Sequence, residues 1–270
     1  MAKIEASDLI RRIDEGLSKA GRETPRSYIG ASVIGNSCDA YLAMSLRGYP
    51  DEAVEPRLQR IFRDGHRIED QVVRDLSKAG YHVQEVDPLT GKQWHYEELG
   101  GHVACNADGH IDDGDEVALL EIKSMNANKF DEFKRFGVAI SHPHYRDQVI
   151  MLMALSGIKD GVFVAYDKNT SEYWMEVIPY DEDRWNYLQV RIQSILDGAR
   201  QRVAKEEVDW RCRGCFKRGV CWGHRDPLRV CKSCVHATPH NDGSWWCMKH
   251  DQRAEETCDD YDAFLPKPRP

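Results

Sequence analysis

Apolar positions along the chain switch between two spacings, and the switch marks out its elements. Over 1–17, Ile4, Leu9, Ile10, Ile13 and Leu17 form one stripe of an otherwise charged, amphipathic helix. Residues 26–36 are a Gly- and Ser-containing connector, and 37–46 return to helical spacing around Tyr41, Leu42 and Met44. A longer helix is predicted over 55–78, where Leu58, Ile61, Phe62, Ile68, Val72, Val73 and Leu76 recur on one face and Gly80 supplies the stop. The spacing then falls to two, so that 81–86, 93–97, 101–112 and 117–123 alternate as strands of an antiparallel sheet. Helices resume at 127–135 and 144–155, two more strands at 161–166 and 172–179, and a long helix from 182 to about 204. The class is α/β, a mixed β-sheet flanked by helices.

One hairpin in this pattern carries chemistry. Asp113-Gly114-Asp115-Glu116 is a tight-turn signal, and a two-residue loop at Gly114 and Asp115 puts Asp108 directly opposite Glu121 and Asp112 opposite Val117. Opposed residues have Cβ atoms about 5 Å apart, and two bare carboxylates roughly 4 Å apart repel by about 4 kcal/mol at an effective dielectric near 20. A divalent cation between them removes that repulsion. Lys123 shares the face of Glu121, while Ile122 points to the opposite, buried side. A solvated acidic turn with a surface lysine is the plainer alternative; Leu119, Leu120 and Ile122 weigh against it, because charges planted in a buried strand need a partner or a metal. Gly65 and Glu69 share a face one turn apart on the 55–78 helix, so that Glu69 could reach the same cation. Tyr145 and Gln148 stand one turn apart on the helix after the sheet, available to a phosphate or an attacking water.

Composition narrows the class. With 41% hydrophobic and 30% charged residues the chain of 270 is that of a soluble globular protein, long enough for one catalytic domain and a small appendage. No apolar run approaches the roughly 20 residues of a membrane span, and the first helix lacks the apolar core of a signal peptide, so no membrane partner is expected and the cytoplasm is the expected compartment. A formal net charge of -8 argues against a chain-wide grip on nucleic acid, but basic residues gather locally at Arg57, Arg60, Arg63 and Arg67, at Lys129, Lys134 and Arg135, and over 211–229. Nine cysteines suggest metal rather than disulfides. Cys105 reads as a small core residue, whereas Cys212-x2-Cys215-x5-Cys221, with Cys38 as a fourth thiolate, suits zinc or an iron-sulfur cluster. Beyond a linker at 225–227, Cys231-x2-Cys234, Cys247 and Cys258 have zinc-ribbon character and too few apolar neighbours to fold unaided; His236, His240 and His250 are substitutes for any one ligand. Trp245 and Trp246 are either the ribbon's core or a stacking surface for single-stranded bases, and 265–270 reads as a disordered tail.

Taken together, Gly65-x3-Glu69, Asp108-Gly109, Glu121-Ile122-Lys123 and Tyr145-x2-Gln148 resemble the motif series of the RecB-like branch of the PD-(D/E)XK nuclease superfamily, particularly phage exonucleases related to lambda exonuclease and the CRISPR-associated and AddB-type iron-sulfur nucleases. The resemblance runs through roughly 26–225. It implies a restriction-endonuclease-like core in which Asp108, Glu121, the Ile122 carbonyl and Glu69 hold Mg²⁺ or Mn²⁺, Lys123 positions or activates water, and Gln148 fills the fourth motif. Gly109-His110-Ile111-Asp112 also fits a form of the family's pattern, which makes Asp112 the alternative ligand, and Leu152 stands where the family often has Tyr. One cysteine before the motifs and three after them imply a 4Fe-4S cluster on Cys38, Cys212, Cys215 and Cys221, with zinc as alternative. The expected organisation is a nuclease domain at 1–225, a cysteine-rich zinc-ribbon-like module at 226–264 and the tail. The expected activity is that of a metal-dependent DNA exonuclease, phage-type and thus in host cytoplasm if phage-encoded, acting in recombination or processing on DNA contacted by Tyr145, Arg63 and Arg67. Recombination or replication proteins are its expected partners, oligomeric state is left open, and a nucleic-acid-binding module with a vestigial centre is the alternative.

Overall fold

The strands between 82 and 125 build two sheets, and the chain passes from one to the other at Asp108. The computed structural model describes residues 5–18 and 25–269; the start of the first predicted helix, with Ile4, lies outside them. Strands β1 (Ile29–Gly30), β3 (His95–Glu98) and β4 (Val103–Asn106) make a small sheet in the order β1-β4-β3. Strands β2 (His82–Gln84), β5 (Gly109–Asp112), β6 (Val117–Met125), β7 (Asp160–Asp167) and β8 (Tyr173–Pro179) make the main one, in the order β2-β5-β6-β7-β8. The single strand expected over 101–112 is therefore two, β4 and β5, in different sheets. Both sheets are mixed: β6 runs parallel to β7, and β1 to β4.

Helices α1 (Ala6–Ser18), α2 (Ala31–Ile34), α3 (Asp39–Leu46), α4 (Pro56–Lys78), α5 (Ala127–Ser141), α6 (Pro143–Ser156), α7 (Glu182–Leu196) and α8 (Arg218–Cys221) complete the core. Among the described residues no helix is long and apolar enough to cross a membrane. The central strand β6 is buried on both faces. Leu120 and Ile122 meet Ile68, Val72, Val73 and Leu76 of α4, while Leu119 and Met125 join Phe130, Phe133, Val149 and Met153 of α5 and α6. Each such side chain contributes about 1.5–3 kcal/mol on full burial. α1 buries none of its residues, leaving Ile10 and Ile13 exposed, and ties to α4 through Arg60 and Asp14 at 2.5 Å. α7 ends earlier than its pattern implies, at Leu196, because Gly198 takes φ +100° and turns the chain. α5 runs beyond its expected end through a bend at Gly137 (φ 69°, ψ 167°), where the Glu176 carboxylate accepts from the Val138 N–H at 2.8 Å.

The cysteine-rich segment carries a third, antiparallel sheet in which β10 (Trp245–Cys247) lies between β9 (Ala237–Pro239) and β11 (Gln252–Arg253). It is docked on the core through Arg47, at the end of α3 and 3% exposed. Arg47 donates to the carbonyls of Lys232 (2.8 Å), Cys234 (2.9 Å) and Ala237 (3.0 Å), and its guanidinium lies 3.6 Å from the centre of the Phe264 ring. Burial lowers the pKa of Arg47 to about 10, which leaves it charged at neutral pH. The Tyr49 hydroxyl donates to the Phe264 carbonyl at 2.6 Å. The stretch expected to be a disordered tail pairs instead: Lys267 donates to the Arg200 carbonyl (3.0 Å) and accepts from the Arg202 N–H (2.9 Å), so backbone bonds outweigh the polar composition there. Pro270 lies outside the described residues.

Replacing Arg47 with Met strands three buried carbonyls at once. The expected cost is about 3 kcal/mol, or roughly 6–12 °C in the unfolding midpoint of a chain this size; thermal unfolding of Arg47→Met against wild type measures it, and an unshifted midpoint contradicts the role given to Arg47.

Candidate active site

The β5–β6 hairpin pairs Gly109 with Leu120 and Asp112 with Val117, the register expected from the turn. Its loop, however, spans 113–116, with the Asp113 carboxylate accepting from the N–H groups of Asp115 (3.2 Å) and Glu116 (3.3 Å). Asp108 stands one step past the end of the ladder. Its Oδ2 accepts from the Ile122 N–H at 2.8 Å, taking the place of the strand partner that β5 no longer provides. Since the N–H and C=O of one residue leave a strand on the same edge, the Ile122 carbonyl opens toward Asp108.

Glu121 points to the other face of β6 and is 1% exposed. Its Oε1 accepts from Gln148 Nε2 on α6 at 2.5 Å and pairs with the Lys123 ammonium; its Oε2 is buried with no partner. Among the described residues it is the one buried side-chain oxygen in that condition. Burial, then the nearby Asp108 charge and more weakly Glu69, raise the pKa of Glu121 to about 8 against the pull of Lys123. Burial pulls the Lys123 pKa down, but Glu121 and Asp108 outweigh it, so Lys123 keeps its proton. Its ammonium sits 5.6 Å from the centre of the Tyr145 ring. Two acids facing one amine, with Glu69 near enough to act on one of them and a buried carboxylate oxygen left over, form a donor set that fits a hard divalent cation.

The remaining predicted residues fall on both sides of this centre. Glu69 on α4 contacts His66 Nδ1 at 3.1 Å, and the space beside Gly65 is open for 4 Å around the place of an added Cβ. Arg63 and Arg67 are exposed on the same helix, and neither enters an ion pair among the described residues. Asp112 lies at the far end of the hairpin, its Oδ2 on His82 Nδ1 at 2.8 Å. Leu152, at the doubtful motif position, is fully buried in the core. Sequence reasoning missed His142 and His144. They pack around Tyr145, with ring centres 5.5 Å and 4.1 Å away, and the charges of His142, Lys129 and Lys123 add to burial in lowering the His144 pKa. The run His142-Pro143-His144 at a helix start was the available signal.

Both cysteine groups converge. Cys38 is the N-cap residue of α3, and half-buried Cys215 has its pKa raised to about 11 by burial first and then by Cys38, Cys221 and Cys212. Cys231, Cys234, Cys247 and Cys258 line one cavity with His236 and His250.

The raised Glu121 pKa has a pH signature with a definite sign. A folded value of about 8 against an ordinary 4.5 means a stability contribution present at acid pH and lost as pH climbs through 8. In chelator, urea midpoints of wild type should therefore fall relative to Glu121→Gln between about pH 5 and pH 8.5; parallel pH curves would contradict the burial of an unpaired carboxylate.

No family model and no curated protein matches the sequence. Among solved structures, the chain is similar to an alkaline exonuclease from Laribacter hongkongensis at 20% identity and TM-score 0.47, over 68% of this chain and 91% of that one. The same exonuclease in complex with dAMP gives 21% identity, TM-score 0.47 and the same coverage, 68% and 91%. A phage related exonuclease from Haemophilus somnus is similar at 11% identity and TM-score 0.38, over 50% of this chain and 68% of that one.

Proposed function

We propose that the protein is a Mg²⁺- or Mn²⁺-dependent deoxyribonuclease, an exonuclease of phage type acting in DNA recombination or processing. The observation that carries this reading is the unpaired, buried Oε2 of Glu121 beside Asp108 and Lys123. In it Glu121 offers Oε2, Asp108 offers the oxygen not engaged by the Ile122 N–H, and the Ile122 carbonyl and Glu69 complete the protein's ligands. Asp108 is preferred to Asp112, whose carboxylate is engaged by His82 at the opposite end of β5. When bound, the cation polarises a phosphoryl oxygen and lowers the pKa of the attacking water. Gln148 holds Oε1 and so fixes the direction of Oε2. Lys123 stays protonated and brings positive charge to the phosphoryl group as negative charge develops on it. Tyr145 borders the ammonium, and Arg63 and Arg67 supply phosphate contacts on the adjoining helix.

The thiolates of Cys38, Cys212, Cys215 and Cys221 are proposed to hold a 4Fe-4S cluster that ties α3 to the segment after α7. Its contribution is structural, since closing so long a stretch of chain restricts the unfolded ensemble.

Lys123→Ala should lower cleavage of end-labelled linear DNA in Mg²⁺ by about 10²–10³-fold while DNA binding and metal binding persist. Retained cleavage removes the mechanism; a wild type that binds DNA and never cuts it is a binding module. Protein purified without air should be brown with broad visible absorbance, and Cys215→Ser should be colourless; a colourless wild type without iron refutes the cluster.

A further inference from the structure

The second cysteine group takes no part in that chemistry. Cys231 opens a single helical turn, Cys234 follows it, Cys247 ends β10 and Cys258 lies beyond β11, yet the four line one cavity of about 30 Å³. That is about the room of a single water or ion. Four connections bring them there. The Cys234 N–H donates to the Cys231 carbonyl (2.9 Å), Cys247 pairs with Ala237 in the hairpin, Cys234 bridges to Ala263, and the Cys258 carbonyl accepts from Arg229 at 3.0 Å. The module has little else to fold around. Its strands are two or three residues long, and its large apolar side chains Trp245 and Phe264 join the main core. A segment this small without a core of its own needs a metal or another staple.

Beside Cys258 stands a fifth donor. His250 Nε2 is 3.6 Å from the Cys258 sulfur and 3.0 Å from Asp260 Oδ2, and Lys249 donates to the other oxygen of Asp260 at 2.6 Å. The ligand atoms of His250, Cys258 and Asp260 all lie within 4.8 Å of one another. Two readings of His250 are open to chemistry: ligand, or hydrogen-bond donor to a ligand. A nitrogen facing a carboxylate carries its proton toward it and has no lone pair to offer. Four thiolates on Zn²⁺ leave a net charge of about -2, which N–H donors and nearby cations relieve.

We infer that Cys231, Cys234, Cys247 and Cys258 bind one Zn²⁺, and that His250 stays outside the ligand set, its single Nε2–H shared between Asp260 Oδ2 and the more distant Cys258 thiolate. The site fixes the turn whose carbonyls, those of Lys232 and Cys234, Arg47 grips, so zinc holds the module on α3. This site stands apart from the nuclease reading, and either can fail without the other.

The test uses the full chain. Elemental analysis should give one zinc per chain, and Co²⁺ in its place should show the intense charge-transfer bands of a four-thiolate site. His250→Ala should keep one zinc and the four-thiolate spectrum with affinity lowered about 10-fold, whereas Cys258→Ser should lose the zinc. Zinc kept by Cys258→Ser and lost by His250→Ala overturns the ligand set, and iron or no metal at this site overturns the inference. Should Cys258→Ser fail to fold, hydrogen exchange on wild type decides: chelation should deprotect 231–264 while β6 and β7 stay protected, and added Zn²⁺ should restore the module. Protection unchanged by chelator that has removed the zinc also overturns it.

Discussion

A carboxylate is buried in the middle of the central strand with one oxygen unpaired, and the surroundings of Glu121 are arranged around that constraint. An uncompensated buried charge is strongly destabilising, so the fold tolerates this one only by surrounding it. Gln148 and Lys123 engage one oxygen, and burial together with Asp108 favours the protonated form when nothing else is bound. The switch between sheets serves the same centre. Where β5 gives out, the Ile122 N–H would lack a partner, and the Asp108 side chain supplies it. The carboxylate is thus delivered to the site by the same backbone requirement that ends the strand.

Helix α3 links the two cysteine groups. Its N-cap is Cys38 of the first, and just past its last residue Arg47 engages the carbonyls of the second. Between them its buried face, with Ala40 and Met44, packs against Tyr49, Val220 and Cys221. A helix held at both ends in this way gives the main core and the cysteine-rich segment a common rigid element. The buried guanidinium is well suited to this, because its planar fork reaches three carbonyls that a lysine could not serve together.

Strand geometry is simple arithmetic, and part of the candidate site was legible through it. Turn chemistry gave the register of β5 on β6, which ends one step before Asp108, and alternation gave the pairing of Glu121 with Lys123. What alternation could not give was the break at Asp108: residues 101–112 read as one strand since nothing local distinguishes a strand that changes sheets from one that continues, and the difference is decided by which partners arrive from β1, β2 and β3. The end of α7 failed for a related reason, as Gly198 stops a helix whose apolar spacing continues. The pairing of Lys267 with Arg200 and Arg202 was invisible because it is purely main-chain. Nothing in helical spacing marks His142 and His144, and only the fold sets them around Tyr145.

The acidic balance of the chain and a nucleic-acid substrate are compatible once distance is considered. Charges more than about 8 Å apart are largely screened at physiological ionic strength, so a phosphate at the site responds to its neighbours and not to the net -8. Those neighbours are Lys129 and the protonated Lys123, both close enough to shift His144. The carboxylates of Glu69, Asp108 and Glu121 would repel a phosphate on their own, and a bound cation converts that patch from a barrier into an anchor. On the proposed reading, binding that rests on a few phosphates and one cation would depend only modestly on salt.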